Sequence, residues 1–281
     1  MQVDRMTFPD GVELAYGAWN AVGNPRGVVI CIHGIRSHVG WYQASCEHFA
    51  RAGFAVYFHD RRGSGLNREH RHEKVTASLL ICDLVHFITQ VRRNHPGLPV
   101  HLVAISWGGK LAVAALLADP GLADSLTLVA PGGIAGRKDI TPGEKLRVLL
   151  YRFTRPRKMM TIPLNEPELF TANPDRIDFI ANDDLSLTEC TASLMWASFI
   201  LDCRIRSKAD QLTCPTFMML AEHDEICDNE KLMTFYAGLG SMTKQIKAYA
   251  GAHHTLEFEP DPEPVFADMT DWFSRFDREK S

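Results

Sequence analysis

Hydrophobic and polar positions along the chain repeat as a unit: a short continuous apolar run, a Gly-rich or charged corner, then an amphipathic stretch. The apolar runs lie at 28–32, 54–58, 100–105, 126–130 and 216–220. Their length predicts strands, and their unbroken apolar character predicts cover on both faces, as in a parallel sheet. Between them, 78–93 sets Leu80, Leu84, Phe87 and Val91 on one helical stripe that Pro96-Gly97 ends. Residues 108–119 predict a buried helix closed by Pro120-Gly121. The alternation at 244–249 predicts a half-buried strand nearer the sheet edge. Residues 5–19, with a turn at Pro9-Asp10-Gly11, predict an opening hairpin. Strands alternating with helices give an α/β class and a doubly wound, mostly parallel sheet flanked by helices.

The alternation breaks once. Over 133–210 no strand pattern stands out, and two helical stretches, EKLRVLLYRF and LTECTASLMWASFILDCRI, are separated by turns carrying Pro156, Pro163, Pro167 and Pro174. The expectation is a core of 1–132 and 211–281 with 133–210 inserted as a helical cap. Such a cap would lie over the carboxyl edge of the sheet, where ligands bind in these folds.

Composition narrows the class. The 281 residues are 46% hydrophobic and 23% charged, which excludes a disordered or disulfide-dense chain. A chain of this length buries roughly 75% of its unfolded surface, enough for an enclosed pocket. Thirty Lys and Arg against thirty-four Asp and Glu leave a net charge of -4, which argues against a nucleic-acid partner. No apolar run approaches the ~20 residues of a bilayer span, and MQVDRMTFPD lacks the pattern of a secretion signal. The seven cysteines are odd in number and scattered, as reduced thiols of a cytoplasmic protein would be.

Candidate chemistry centres on Ala104-Ile105-Ser106-Trp107-Gly108-Gly109. It follows a predicted strand and opens a predicted helix, so the serine falls on a tight, exposed corner. Small residues two before and two after let strand and helix approach, and the helix N-terminus favours negative charge there. Ala104 stands where a G-x-S-x-G pattern has Gly. A serine needs a base oriented by an acid to become a nucleophile. Asp224, after the strand at 216–220, is the candidate acid, with Glu222, Glu225 and Asp228 competing. Asp228 could instead cap the next helix. His253 and His254, after the strand at 244–249, are the candidate bases, and spacing leaves the choice between them open. The order serine, acid, histidine is that expected when three loops meet at one sheet edge.

Charge developing on a carbonyl oxygen requires donors. Gly34 permits a turn that aims the N–H of Ile35 at the same point as that of Trp107. His33 is expected to brace that turn, and 60–67, DRRGSGLN, to support it as a tight loop, since neither phosphate-cradle pattern is present. For His70, His72, His253 and His254, no Cys or carboxylate stands at ligand spacing, so no metal and no cofactor are expected. The basic cluster Lys145, Arg147, Arg152, Arg155, Arg157 and Lys158 is a solvated face, or else attracts an anionic substrate or lipid surface. Leu194, Met195, Trp196, Phe199 and Ile200 are candidate pocket residues, unless that face simply packs on the core.

Five stretches, HGIRSH at 33–38, HDRRGSGLN at 59–67, AISWGG at 104–109, AEHDEICD at 221–228 and GAHHTLEFE at 251–259, resemble the α/β-hydrolase superfamily. Within it they look most like the monoacylglycerol lipase and lysophospholipase branch, grouped with serine aminopeptidases of that fold. The resemblance spans nearly the whole chain. It implies Ser106 as nucleophile, Asp224 as acid, and Ile35 and Trp107 as oxyanion donors. It selects His254 as base, because Gly251, His254 and Leu256 meet a Gly-x-x-His-x-Leu pattern. It also implies a carboxylic ester substrate, acylglycerol-like or a small acyl ester, with no cofactor. Ala104, Ala221 and Asn67 depart from the branch's usual Gly, Gly and Ser. A neutral imidazole is needed for attack, so activity is expected to fall on acidification.

Overall fold

The continuous apolar runs become strands with little or no exposed surface. The computed structural model describes residues 1–132, 134 and 141–277. Strands β1 (Gln2–Thr7) and β2 (Glu13–Trp19) form the expected opening hairpin, followed by β3 (Gly27–Ile32), helix α1 (Gln43–Arg51) and β4 (Phe54–His59). Helix α2 (Ala77–Asn94), capped by Thr76, leads to β5 (Val100–Ile105), α3 (Gly108–Leu116) and β6 (Ser125–Val129). Every residue of β3, β5, β6 and α3 is buried.

Next come α4 (Pro142–Thr154), β7 (Met159–Thr161), α5 (Pro174–Ala181), β8 (Glu189–Thr191) and α6 (Ala192–Ser207). The chain then returns to the sheet through β9 (Thr216–Ala221), α7 (Asn229–Ala237), β10 (Lys244–Tyr249) and α8 (Glu263–Ser274). The sheet has eight strands in the order β1-β2-β4-β3-β5-β6-β9-β10. β2 is antiparallel to β1 and β4, and all pairs from β4 to β10 are parallel.

This order fixes where a site can form. β3 lies between β4 and β5, so the chain winds outward from β3 and then crosses back. The loops leaving β3 and β5 therefore diverge and open a crevice at the carboxyl edge. The loops after β9 and β10 leave from the same edge.

The segment between β6 and β9 differs from expectation in three ways. It holds a two-stranded antiparallel pair, Met159 to Thr161 against Thr191 to Glu189, where no strand was expected. Three-residue strands are too short to show a period. The helix expected from Leu187 begins only at Ala192, because Thr191 is extended and its hydroxyl accepts from the amide of Leu194. Pro174, expected in a turn, instead opens α5 behind the cap Asn173. The expected boundary at 133 lies outside the described residues. Helix α4 packs on α6, and α6 packs on α2 and α3, so this segment is anchored beside the start of α3.

Candidate active site

Ser106 occupies the turn between β5 and α3 with φ of 50°. A left-handed conformation is strained for a residue with a Cβ and persists only where its surroundings enforce it. Here the Ser106 amide donates to the carbonyl of Val129 at 2.9 Å, tying the corner to β6. Gly108 explains the small residue two positions on. A Cβ there would stand 2.5 Å from the Ile32 oxygen and 2.7 Å from that of His33, so only glycine lets α3 start against the end of β3. Ser106 is 8% exposed.

Two distant loops meet this hydroxyl. Nε2 of His254 lies 2.9 Å from Ser106 Oγ. On the other side of the ring, Nδ1 lies 3.0 and 2.9 Å from the two carboxylate oxygens of Asp224. One of those oxygens also accepts from the amides of Ile226 and Cys227, each at 2.8 Å. Burial would raise the Asp224 carboxyl, but the facing imidazole, its hydrogen bond and the Cys227 amide outweigh that and hold it at about 2. An ionised Asp224 keeps the imidazole proton on Nδ1, leaving Nε2 to accept from the serine.

Three of the competing residues, His253, Glu222 and Asp228, have other partners. The His253 amide and ring face Glu259, at 2.7 and 3.2 Å. Glu222 accepts from the Gly251 amide, Glu225 is exposed, and Asp228 caps α7 through Lys231. His70 bonds Glu73. Chain spacing offered His254 neither a Cys nor a carboxylate as a ligand partner, but the fold supplies both. Asp224, Cys227 and His254 each place one donor atom within 4.8 Å of the others, the one such trio among the described residues. Cys227 Sγ is 3.5 Å from His254 Nδ1.

The loop after β3 is built from below. Nε2 of His33 accepts from the Arg61 amide at 3.1 Å, which leaves its proton on Nδ1 to donate to the Gly34 carbonyl at 2.7 Å. Burial pushes His33 far below the ordinary imidazole range, aided by the adjacent Arg61, so it stays neutral. The Arg61 guanidinium donates to the carbonyls of Gly34 and Ile35. With these carbonyls turned toward Arg61, the Ile35 N–H is left on the opposite side of the peptide. Among the described residues, neither the Ile35 nor the Trp107 amide has an acceptor. Gly34 is close enough to the serine corner that a Cβ on it would lie 3.2 Å from Ser106 Cβ.

The 60–67 loop supports this turn as expected. Asp60 accepts from the amides of Val39 and Leu66, and Asn67 closes the loop onto Ala15 and the Asp60 carbonyl. Burial raises the Asp60 carboxyl to about 6.

Five predicted pocket residues fall on different sides of α6. Leu194 is buried and Met195 packs against the core. Trp196 and Ile200 line a lateral groove of about 350 Å³ with Arg152, Phe153, Lys74 and Ser193, and Phe199 is 41% exposed. Chain pattern alone missed Phe170, whose ring stands edge-on to His254 at 5.8 Å. Its carbonyl accepts from the Thr255 amide at 2.8 Å. No local signal marks such a contact across 84 residues of sequence.

A parallel sheet of this order, with a serine corner after β5 and acid and histidine loops after the last two strands, defines an α/β hydrolase. The family described as serine aminopeptidase, S33, matches residues 23–261, and the chain belongs to it. Over 95% of its length the chain is similar to human monoglyceride lipase, 23% identical across 270 residues and 88% of that protein. Over 93% it is similar to the monoacylglycerol lipase of Mycolicibacterium smegmatis, 24% identical and covering 93% of that protein. A soluble variant of Saccharomyces cerevisiae monoglyceride lipase, solved in complex with a substrate analog, has the same fold. It aligns with a TM-score of 0.85 at 20% identity, over 98% of this chain and 95% of that one.

Proposed function

We propose that the protein is a serine hydrolase that cleaves carboxylic esters of acylglycerol-like lipids or small acyl esters through an acyl-enzyme on Ser106. The observation that carries this reading is the hydrogen-bonded line Ser106–His254–Asp224, with contacts of 2.9 Å at both His254 nitrogens. In the acylation step Ser106 Oγ attacks the ester carbon while its proton passes to His254 Nε2. The N–H groups of Ile35 and Trp107 receive the oxyanion. Asp224 stabilises the imidazolium, which returns the proton to the departing alcohol. Water, deprotonated by the same Nε2, then releases the carboxylic acid and restores the serine.

The substrate class rests on the relatives and on the surface around the site. Residues 133–210 act as a cap on a core of 1–132 and 211–281. On its α4, Leu146, Leu150 and Phe153 are 66%, 56% and 72% exposed beside Arg147 and Arg152. An exposed apolar stripe with flanking cations is suited to collecting an amphiphilic acyl substrate. Leu194 and Met195, on the core side of α6, form the wall for the acyl chain. The exposed thiols of Cys82 and Cys203 suit the reducing cytoplasm.

Hydrolysis rates on a chain-length series of p-nitrophenyl esters and on monoacylglycerols, beside matched thioesters and aminoacyl amides, test the reading. Faster release from the glycerol and p-nitrophenyl esters is expected. A near-background response on all esters would refute it, and a preference for thioester or amide would redirect the chemistry.

A further inference from the structure

The residue after the nucleophile is held from two sides, and one of those holds comes from α6. Trp107 is buried, so its indole N–H needs an acceptor. That acceptor is Ser198 Oγ of α6, at 2.9 Å. The same Oγ accepts from Nζ of Lys110 at 3.0 Å, and the Lys110 ammonium pairs with Asp202 one turn further along α6. On the face of the indole sits the Arg61 guanidinium, 4.8 Å from the ring. This is the group that donates to the carbonyls of Gly34 and Ile35.

Lys110 shows that this arrangement does not serve the helix itself. It lies in the first turn of α3 and is 3% exposed. A cation at a helix N-terminus opposes the macrodipole, and a buried ammonium is costly unless paired. Asp202, across the packing interface, is its carboxylate partner. Both the indole N–H and the ammonium of this corner are therefore satisfied by α6 rather than by the core.

We infer that Ser198, with Asp202 behind it, is a positioning residue for the oxyanion donors: α6 fixes the Trp107 indole, and through it the Trp107 backbone N–H and the Arg61-braced Ile35 turn. This rests on the reading of Ser106 as an esterase nucleophile and adds to it that the oxyanion donors are assembled only with α6 in place. A contiguous contact path runs from Asp202 through Lys110, Ser198 and Trp107 to Arg61. Loss of the Ser198 hydroxyl leaves the indole N–H and the ammonium each short of an acceptor, so the ring and its backbone are free to shift. A shift of that kind weakens binding of the developing charge more than binding of the neutral ester.

The test is a double-mutant cycle on Ser198→Ala and Trp107→Phe, read as kcat and KM on a soluble p-nitrophenyl ester, with circular dichroism and Tm confirming that each variant folds. Removing a direct oxyanion donor costs about 10²–10³ in turnover, so losing its positioning is expected to lower kcat about 10-fold with KM changed less than about two-fold. The double variant is expected to be no slower than the slower single one, because both changes cut the same link. Ser198→Thr, which keeps the hydroxyl, is expected to restore most of kcat. The inference is overturned if the wild type is active and Ser198→Ala keeps kcat within two-fold, if the two losses multiply, or if only KM moves. If the wild type neither hydrolyses esters nor takes up a fluorophosphonate on Ser106, the esterase reading falls first and the inference with it.

Discussion

Both carboxylate oxygens of Asp224 lie within 3.0 Å of His254 Nδ1, so the ring nitrogen turned toward Ser106 is the unprotonated one. Asp224→Asn would let an amide N–H face that Nδ1 and favour the opposite tautomer, with the proton on Nε2. Turnover is expected to fall on the order of 10⁴, with the fold and KM little changed. Steady-state kinetics with Tm as control check this. A loss below about 10-fold would mean that Asp224 does not set the tautomer.

Ser106→Ala and His254→Ala are each expected to cost on the order of 10⁴–10⁶ in kcat, and their combination little more, since the pair acts as a unit. His253→Ala, whose ring faces Glu259 rather than Ser106, is expected to stay within a few-fold of wild type. The reverse pattern in the two histidine variants would reassign the base.

Gly108→Ala places a Cβ against two backbone carbonyls, those of Ile32 and His33. Neither oxygen can swing aside as a side chain would. A destabilisation of about 1–3 kcal/mol is expected, with a lower kcat because the displaced strand end carries the Ile35 turn. Chemical unfolding and kinetics on one preparation check both effects. Wild-type values for both would contradict the close approach of α3 to β3.

Burial pushes the Glu257 carboxyl up to about 7, against the hydrogen bonds it accepts from Ser45. The folded state then holds this proton more tightly than the unfolded chain. The resulting contribution to stability is fully present below the ordinary carboxylate value and is lost as pH rises through about 7. A rise from 4.5 to about 7 corresponds at most to roughly 3 kcal/mol. Glu257→Gln is expected to gain stability relative to wild type on going from about pH 5 to about pH 8, measured by urea unfolding at each pH. Parallel profiles for the two proteins would contradict the shift.

Leu150→Glu with Phe153→Glu replaces two of the three apolar residues of the exposed α4 stripe without touching the core. Hydrolysis of monoacylglycerol presented in mixed micelles is expected to fall about 10-fold, while hydrolysis of soluble p-nitrophenyl acetate is unchanged. Equal losses on both substrates would place the effect in folding rather than in substrate collection.

Sequence pattern carried the fold where local order and burial coincide. The strands at 28–32, 100–105 and 216–220 were legible because both their faces are covered, so they read as uninterrupted apolar runs. Ser106 was legible because a strand, a tight corner and a helix start are all local. His253 and His254 were not separable by pattern, since neighbours in a loop point to different sides and only the family pattern chose between them. The β7–β8 pair was too short to show a period. The roles of Arg61, Lys110 and Phe170 depend on contacts across tens of residues, and buried charges look like surface charges until their partners are placed. Arg61 sat in a loop expected to support the oxyanion turn. What the fold adds is the means, a guanidinium that takes the carbonyls of Gly34 and Ile35.

The most direct test of Ser106 as the activated nucleophile is intact-mass and peptide analysis of the folded protein after exposure to a fluorophosphonate. One adduct on Ser106 is expected, absent in Ser106→Ala and slowed by orders of magnitude in His254→Ala. A folded wild-type protein left unlabelled, or a Ser106→Ala variant labelled as fast as wild type, would contradict the account.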